Sequence, residues 1–287
     1  MTASWQSGTR NGIEVVELSS AASTCTVALA GAQVLSFARR GEADWLWVSD
    51  KARWSVGTAL RGGVPICFPW FGAHPTDRAF PAHGFARTRL WRLIGVDEPS
   101  PARVRAVFEL SSDAETRALF PHRFTARQTV TIGEELELSF EVSNDGTAPL
   151  SFEAALHSYF SVSEVGAIAL TGLERCAFVD KVAGGTPARQ GGEPLRIAGE
   201  VDRVYDSGGP VTLLDPPRPR QIHIQMVGAR STVVWNPGAE KASALADMDR
   251  DGYRRFVCIE AGNIGEHAIT LPPGARDALS VRYSTVP

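Results

Sequence analysis

Residues 135–142 read ELELSFEV, a stretch in which apolar and polar side chains alternate strictly. Its apolar members are Leu136, Leu138, Phe140 and Val142. A period of two places such residues on one face, which predicts a half-buried antiparallel strand. Residues 123–132 (RFTARQTVTI) and 102–110 (ARVRAVFEL) have the same period, and GEE at 133–135 favours a hairpin turn.

Strand patterns recur along the rest of the chain. The remaining candidates are QIHIQMV (221–227), STVVW (231–235), RRFVCIEA (254–261), HAITL (267–271) and ALSVRYSTV (278–286). The uncharged segment 19–38 is interpreted as a buried strand pair, because serines, threonines and Gly31 dilute it too much for a membrane span. Only residues 113–120 indicate a helical turn, with Asp113 as its cap. Residues 184–194 and 207–219 are interpreted as loops.

These patterns predict an all-β fold, one large antiparallel β-sandwich with few short helices, built as a single domain over residues 1–287. The chain carries 29 basic and 32 acidic residues, a net charge of −3, so no overall positive field favours nucleic acid. The N-terminus lacks the basic and apolar regions of a secretory signal. Four scattered cysteines are typical of buried free thiols in a reducing compartment. We therefore expect a cytoplasmic protein, and a monomer, since nothing indicates an obligate interface.

The motifs of several enzyme classes are missing from the sequence. It contains no GxxxxGK[ST] or GxGxxG for a nucleotide, no GxSxG for a serine nucleophile, and no HExxH or Cys/His cluster for a metal. We therefore expect neither cofactor nor metal. Function must then depend on polar residues that lie within apolar β segments.

Two such residues are His157, within ALHSYF (155–160), and Glu260, at the end of FVCIE. A histidine there is either a hydrogen-bonded core residue or a catalytic group, and the glutamate either faces water at a strand end or acts chemically. Carboxylates rarely follow a buried strand without a partner. If the two side chains converge on one cleft, they provide an acid–base pair.

Arg61 begins a second unusual segment, RGGVPICFPWFG at 61–72, which combines glycine and proline with bulky apolar residues. Such a segment either plugs the sandwich or forms the floor of a pocket, and Phe68, Trp70 and Phe71 fit both interpretations. Arg87 ends the glycine-containing HGFAR at 83–87. Both arginines offer forked donors to an anionic substrate, or tie loops together structurally.

Seven motifs together resemble the hexose-6-phosphate mutarotases of the aldose epimerase (galactose mutarotase-like) superfamily. In chain order they are RGGVPICFPWFG, HGFAR, LHSYF, VDRVY, WNPG, DM and FVCIEAGN. The resemblance runs from about residue 20 to about residue 280. It implies a β-supersandwich and the cofactor-free interconversion of the α and β anomers of an aldohexose 6-phosphate.

The resemblance also implies residue roles. Glu260 is then the general base and His157 the general acid, Arg61 and Arg87 bind the phosphate, and Asp202 accepts hydrogen bonds from sugar hydroxyls. His83 is expected to contact the sugar or brace its turn. Ala82 stands where the family often has a polar residue able to touch sugar.

Two other functions remain open at this point. One is an aldose epimerase for neutral sugars, in which the arginines do not meet phosphate. The other is a non-catalytic sugar-phosphate-binding protein on the same fold, which would need no acid–base pair. In each case the expected partner is a small sugar, with neither nucleic acid nor membrane, and the sequence does not specify which hexose phosphate is preferred.

Overall fold

The alternating segments fold as antiparallel strands in a computed structural model, which describes residues 4–100, 102–218 and 220–286. The first strands are β1 (Ser4–Arg10), β2 (Ile13–Ser19), β3 (Ser23–Ala28), β4 (Gln33–Arg39), β5 (Ile66–Cys67), β6 (Arg92–Ser100), β7 (Arg103–Ser111), β8 (Phe124–Ile132), β9 (Leu136–Asn144), β10 (Leu150–Phe152) and β11 (Ala154–Leu156). The later strands are β12 (Tyr159–Ser161), β13 (Ala169–Thr171), β14 (Ala177–Asp180), β15 (Thr186–Arg189), β16 (Val201–Tyr205), β17 (Val211–Asp215), β18 (Arg220–Val227), β19 (Ser231–Asn236), β20 (Phe256–Asn263), β21 (Ile269–Leu271) and β22 (Arg276–Val286).

Two eight-stranded sheets dominate the architecture. One runs β15-β14-β16-β19-β20-β11-β5, with β12 also paired to β20, and the other runs β13-β17-β18-β22-β9-β8-β7-β6. A four-stranded sheet (β1 to β4) and the pair β10-β21 complete the fold. The predicted hairpin joins β8 to β9 in antiparallel register, with Gln128 opposite Phe140. The all-β prediction is confirmed.

The core explains the alternation of the sequence. Leu138, Phe140 and Val142 of β9 belong to the same buried cluster as Val257 and Ile259 of β20, so the two large sheets pack face to face. The alternate residues of β20, Cys258 and Glu260, belong to the opposite face of their sheet, because successive side chains of a strand point to opposite sides. That second face carries the polar residues singled out above.

Helices are short. Helix α1 (Ala114–Leu119) is the predicted one, and the Asp113 side chain accepts a hydrogen bond from the backbone N–H of Thr116 at 2.7 Å. Helix α2 (Gly238–Ala244) was not predicted. Short 3₁₀ turns span Ala86–Thr88, Val165–Ala167, Gly252–Arg255 and Gly265–His267. Within the described ranges, no helix combines the length and apolar character needed to cross a membrane.

Two loop predictions were wrong in part. Residues 184–194 contain β15, and residues 207–219 contain β17. The side chains of β15 are exposed throughout, so that strand has no apolar period to detect. The segment 19–38 does contain a strand pair, β3 and β4, as predicted.

The segment 61–72 proves to be both plug and support. Gly63 has φ +61°, and a Cβ there would lie 2.1 Å from the Val34 carbonyl oxygen, so only glycine fits. Phe68 is fully buried and contacts five other phenylalanine rings. At the other end, Gln33 donates to the carbonyl of Gly62 at 2.6 Å. The backbone next to Arg61 is therefore fixed from several sides.

Candidate functional site

His157 and Glu260 meet at the sheet that contains β20, on the face that points away from the main core. His157 follows β11, and its backbone N–H donates to the Pro65 carbonyl at 3.0 Å. Glu260 lies in β20. On either side of it, Ala261 pairs with Leu156 and Cys258 pairs with Tyr159, so the two residues between Leu156 and Tyr159 lie opposite this part of β20. The His157 Nε2 lies 3.4 Å from the Glu260 Oε1. The two side chains are 6% and 1% exposed as residues, so the pair is buried.

Aromatic rings hold the imidazole in place. The ring of His157 stacks on that of Tyr159 with centroids 4.8 Å apart and an interplanar angle of 8°. Trp235 of β19 meets the imidazole edge to face at 6.0 Å. These contacts leave the ring little freedom to rotate, which is the preorganisation that proton transfer requires.

Burial dominates the electrostatics of the pair. It lowers the pKa of His157 well below its ordinary value, and His83, Arg87 and Arg61 lower it further, the two arginines because their positive charges oppose a charge on the imidazole. Burial raises the pKa of Glu260 well above its ordinary value, and the Asp202 carboxylate adds to the shift, while Lys181 and Arg87 oppose it. The free protein therefore favours the uncharged forms of both groups.

Arg61 is tied at both ends of its guanidinium. Its Nε donates to Asp247 Oδ1 at 2.9 Å, and its Nη1 donates to Tyr159 Oη at 3.4 Å. Burial alone would lower the pKa of Arg61, but Tyr159 and Asp247 outweigh that effect and raise it. A permanently charged guanidinium thus lies beside the ring that stacks on His157.

Arg87 lies in the 3₁₀ turn Ala86–Thr88 and donates from Nη2 to the Ala82 carbonyl at 2.8 Å. Its Nε is buried and has no hydrogen-bond partner within the described part of the chain. The charge of Arg87 is close enough to shift the pKa of both His157 and Glu260. Ala82 itself is exposed, and its carbonyl accepts the hydrogen bond from Arg87.

His83 is held in a defined tautomer. The backbone N–H of Gly72 donates to its Nδ1 at 3.3 Å, so the ring proton is on Nε2. Burial, with Arg87, Lys181 and Arg61, lowers the pKa of His83 to about 3. The ring is therefore a neutral donor, and its centroid lies 5.6 Å from that of His157.

Asp202 lies on β16, two strands from Glu260. It pairs in register with Trp235, which pairs with Cys258, so these side chains share the face that carries Glu260. Burial raises the pKa of Asp202, and Lys181 opposes this. The structure thus brings all six predicted residues to one face: His157, Glu260, Arg61, Arg87, Asp202 and His83.

Several residues at this face were not predicted. Asp247 and Trp235 lay within the motifs DM and WNPG without an assigned role. Lys181 follows β14, and its Nζ lies 4.8 Å from the centre of the Phe71 ring. Phe71 in turn contacts His83 at 4.7 Å, whereas Phe68 and Trp70 belong to the main core. No sequence signal distinguished Lys181 from an ordinary surface lysine.

Cys258 places a buried thiol at this face, beside His157 and Glu260. An imidazole nitrogen of His157, the sulfur of Cys258 and a carboxylate oxygen of Glu260 all lie within 4.8 Å of one another. No sequence motif indicates this cluster, because His157 is about 100 residues away from Cys258 and Glu260 along the chain. These three residues are the candidates for holding a metal ion.

Comparisons with known proteins cover nearly the whole chain. The sequence model of the family described as "Aldose 1-epimerase" matches residues 14–284. A protein of Cenchrus ciliaris named "Putative glucose-6-phosphate 1-epimerase" is 31% identical over 289 residues, covering 97% of this chain and 87% of its own length. An Escherichia coli K12 protein of the same name is 32% identical, with coverages of 90% and 86%.

A solved structure has the same fold. The crystal structure described as a putative mutarotase, YeaD, from Salmonella typhimurium superposes with a TM-score of 0.92 at 29% identity. The superposition covers 98% of this chain and 93% of that one. The likeness therefore extends over both large sheets and the face that carries His157 and Glu260.

Proposed function

The chain belongs to the aldose 1-epimerase family, and on this basis we propose that it is a hexose-6-phosphate mutarotase. It interconverts the α and β anomers of glucose 6-phosphate and related aldohexose 6-phosphates. The observation that carries this proposal is the buried His157–Glu260 pair, 3.4 Å apart, beside the cations Arg61 and Arg87. The names of the relatives from Cenchrus ciliaris and Escherichia coli support the substrate class.

The reaction needs one proton removed and one delivered. Glu260 takes the proton of the C1 hydroxyl while His157 protonates the ring oxygen, and the hemiacetal opens to the aldehyde. Rotation about the C1–C2 bond presents the other face of the carbonyl. The same two groups then act in reverse and close the ring as the other anomer.

Burial sets the resting protonation of this pair. Uncharged imidazole and protonated carboxyl are favoured in the free protein, so the pair holds one proton that must move to His157 before the ring opens. A bound phosphate opposes the charges of Arg87 and Arg61, which are among the causes of the low His157 pKa. Substrate binding thus raises the pKa of the acid towards the range in which it works.

The other residues bind and orient the sugar phosphate. Arg61 and Arg87 bind the phosphate, for which the forked guanidinium is well suited. Asp202 accepts hydrogen bonds from sugar hydroxyls, and His83 donates one from Nε2. The chain acts as a single domain, a monomer and a cytoplasmic protein in this proposal.

The decisive experiment compares mutarotation rates for glucose, galactose, glucose 6-phosphate and mannose 6-phosphate. Freshly dissolved α anomer is coupled to a dehydrogenase specific for the β anomer, so that acceleration above the spontaneous rate is measured directly. We expect the phosphorylated sugars to be accelerated most. Equal acceleration of glucose or galactose would identify an epimerase of neutral sugars instead. Calorimetric binding without any acceleration would identify a non-catalytic binding protein.

A further inference from the structure

Cys258 has no part in the proton transfers, yet it lies directly beside the groups that perform them. It precedes Glu260 by two residues on β20, so both side chains point to the same face. Its sulfur, the His157 imidazole and the Glu260 carboxylate lie within 4.8 Å of one another, and all three residues are buried. A thiol, an imidazole and a carboxylate have thus been brought together by the fold.

This donor set suits one class of metal. Zinc takes sulfur, nitrogen and oxygen donors together in a tetrahedron, and three protein ligands leave a fourth position open. Magnesium and calcium prefer oxygen alone, whereas a thiolate selects softer ions. With metal–ligand bonds of about 2.0–2.3 Å, neighbouring donors in a tetrahedron lie about 3.3–3.6 Å apart. The His157 Nε2 and Glu260 Oε1 are already 3.4 Å apart.

The imidazole and the carboxylate each have one further atom that is not committed elsewhere. Among the described residues, neither the Nδ1 of His157 nor the Oε2 of Glu260 has a hydrogen-bond partner, although both atoms are buried. Unpartnered buried polar atoms are uncommon and mark positions able to bind a further group. A metal ion would bind the imidazole and the carboxylate without breaking a hydrogen bond to another residue.

We propose that His157, Cys258 and Glu260 capture a soft divalent cation, zinc or cadmium, and that the captured ion inhibits the enzyme. As the metal–sulfur and metal–oxygen bonds form, the thiol proton and the carboxyl proton leave to solvent, and both groups bind as anions. Both catalytic groups are then occupied by the metal, so neither can exchange a proton with the sugar. The inhibitory consequence rests on the proposed function, whereas the metal site itself does not.

Protons compete with the metal for this site. Burial raises the pKa of Cys258 well above its ordinary value, and the Glu260 carboxylate adds to the shift. The thiol and the carboxyl each lose a proton when they bind a metal, so binding releases protons. Arg61 and Arg87 also face the site, so an anion such as hydroxide or chloride is expected as the fourth ligand.

Direct binding is tested with cadmium, whose bond to a thiolate gives an ultraviolet charge-transfer absorption. We expect one cadmium ion per chain, with the thiolate absorption, in the wild-type protein. Cys258→Ala should lose that absorption and bind the metal at least about 10-fold more weakly, since loss of an outer-shell partner alone costs about 10–100-fold. Cys176→Ala is the matched control, because Cys176 is the partly exposed cysteine and lies outside the cluster. It should bind cadmium as the wild type does.

Inhibition is tested with zinc in the mutarotation assay. Zinc should slow the wild-type enzyme, a chelator should restore the rate, and excess glucose 6-phosphate should protect it. Magnesium at the same concentration should have no effect. Cys258→Ala should need at least about 10-fold more zinc for the same inhibition. Cys258→Ser should show the same loss as Cys258→Ala. Thermal melting of both variants checks that they are folded, so that the test still holds if the alanine variant misfolds.

Wild-type cadmium affinity in both Cys258 variants, or no thiolate absorption in the wild type, would overturn the proposed site. A wild-type protein that shows the absorption but does not accelerate mutarotation would refute the proposed function while leaving the metal site standing. Zinc binding that is unchanged by Cys258→Ala but abolished by Cys176→Ala would show that Cys176 binds the metal, and it would also overturn the proposed site.

Discussion

Arg61 is joined to Asp247 by a hydrogen bond of 2.9 Å that spans 186 positions of the chain. The carboxylate fixes the guanidinium beside Tyr159, whose ring stacks on His157. A phosphate ligand that is already immobilised loses less entropy when the substrate arrives. If Arg61 binds the phosphate as proposed, Asp247 is a positioning residue for that contact.

Asp247→Asn should therefore weaken substrate binding more than catalysis. We expect KM for glucose 6-phosphate to rise about 2- to 10-fold, the value of one hydrogen bond, with a smaller change in kcat. Steady-state mutarotation kinetics measure both constants. Asp249→Asn is the control, since that carboxylate pairs with Lys51 and Arg255 instead. A fall in kcat with unchanged KM would contradict the positioning role.

Removal of either catalytic group should abolish most of the acceleration. His157→Ala and Glu260→Gln are each expected to lower kcat about 10²–10⁴-fold, the usual contribution of one proton-transfer group. The coupled assay measures the loss, and circular dichroism checks that both variants keep their fold. If both variants retained wild-type rates, the assignment of this pair would be wrong.

Arg87→Ala should discriminate between phosphorylated and neutral sugars. Loss of a charge-assisted contact predicts an increase in KM for glucose 6-phosphate of about 10-fold or more. The effect on free glucose should be much smaller, because glucose has no anionic group. Equal increases for both sugars would refute a role in phosphate binding.

Lys181→Met should reduce the fraction of Glu260 that is ionised and ready to accept a proton. The Lys181 charge lowers the pKa of Glu260 and sits above the Phe71 ring, which contacts His83. Without it the pKa of Glu260 rises, and because that pKa lies above the pKa of His157, the alkaline limb of the kcat/KM profile should move to higher pH and its plateau should fall. Lys51→Met, which alters a surface ion pair with Asp249, is the control and should leave the profile in place. An unmoved alkaline limb in Lys181→Met would show that this lysine does not act on Glu260.

Glu260→Gln should stabilise the fold while it destroys activity. The folded-state pKa of Glu260 lies above its unfolded value of about 4.3. The contribution of this group to wild-type stability is therefore fully present below the unfolded pKa, and it is lost as the pH rises through the folded pKa. At alkaline pH the variant should gain about 1 kcal/mol in free energy of unfolding. The gain should disappear near pH 4. Urea unfolding at several pH values measures it, and a variant less stable than wild type at every pH would contradict the argument.

The fold could be predicted largely because period two is visible wherever one face of a strand is buried. The strands β7, β8 and β9 have that pattern, whereas the wholly exposed β15 has none and was taken for a loop. The candidate catalytic residues His157 and Glu260 could be recognised in the sequence because ionisable groups within apolar strands are unusual. Lys181 and Cys258 could not, because their proximity to the site depends on sheet order, which no local pattern reveals.

The position of Trp235 should allow the protonation of His157 to be followed by fluorescence. Its indole is partly exposed and meets both His157 and Tyr159 edge to face, at 6.0 and 6.1 Å. An imidazolium quenches indole emission more strongly than a neutral imidazole does. The protein thus contains its own optical probe, and stopped-flow fluorescence should follow the proton as it reaches His157, without any added label.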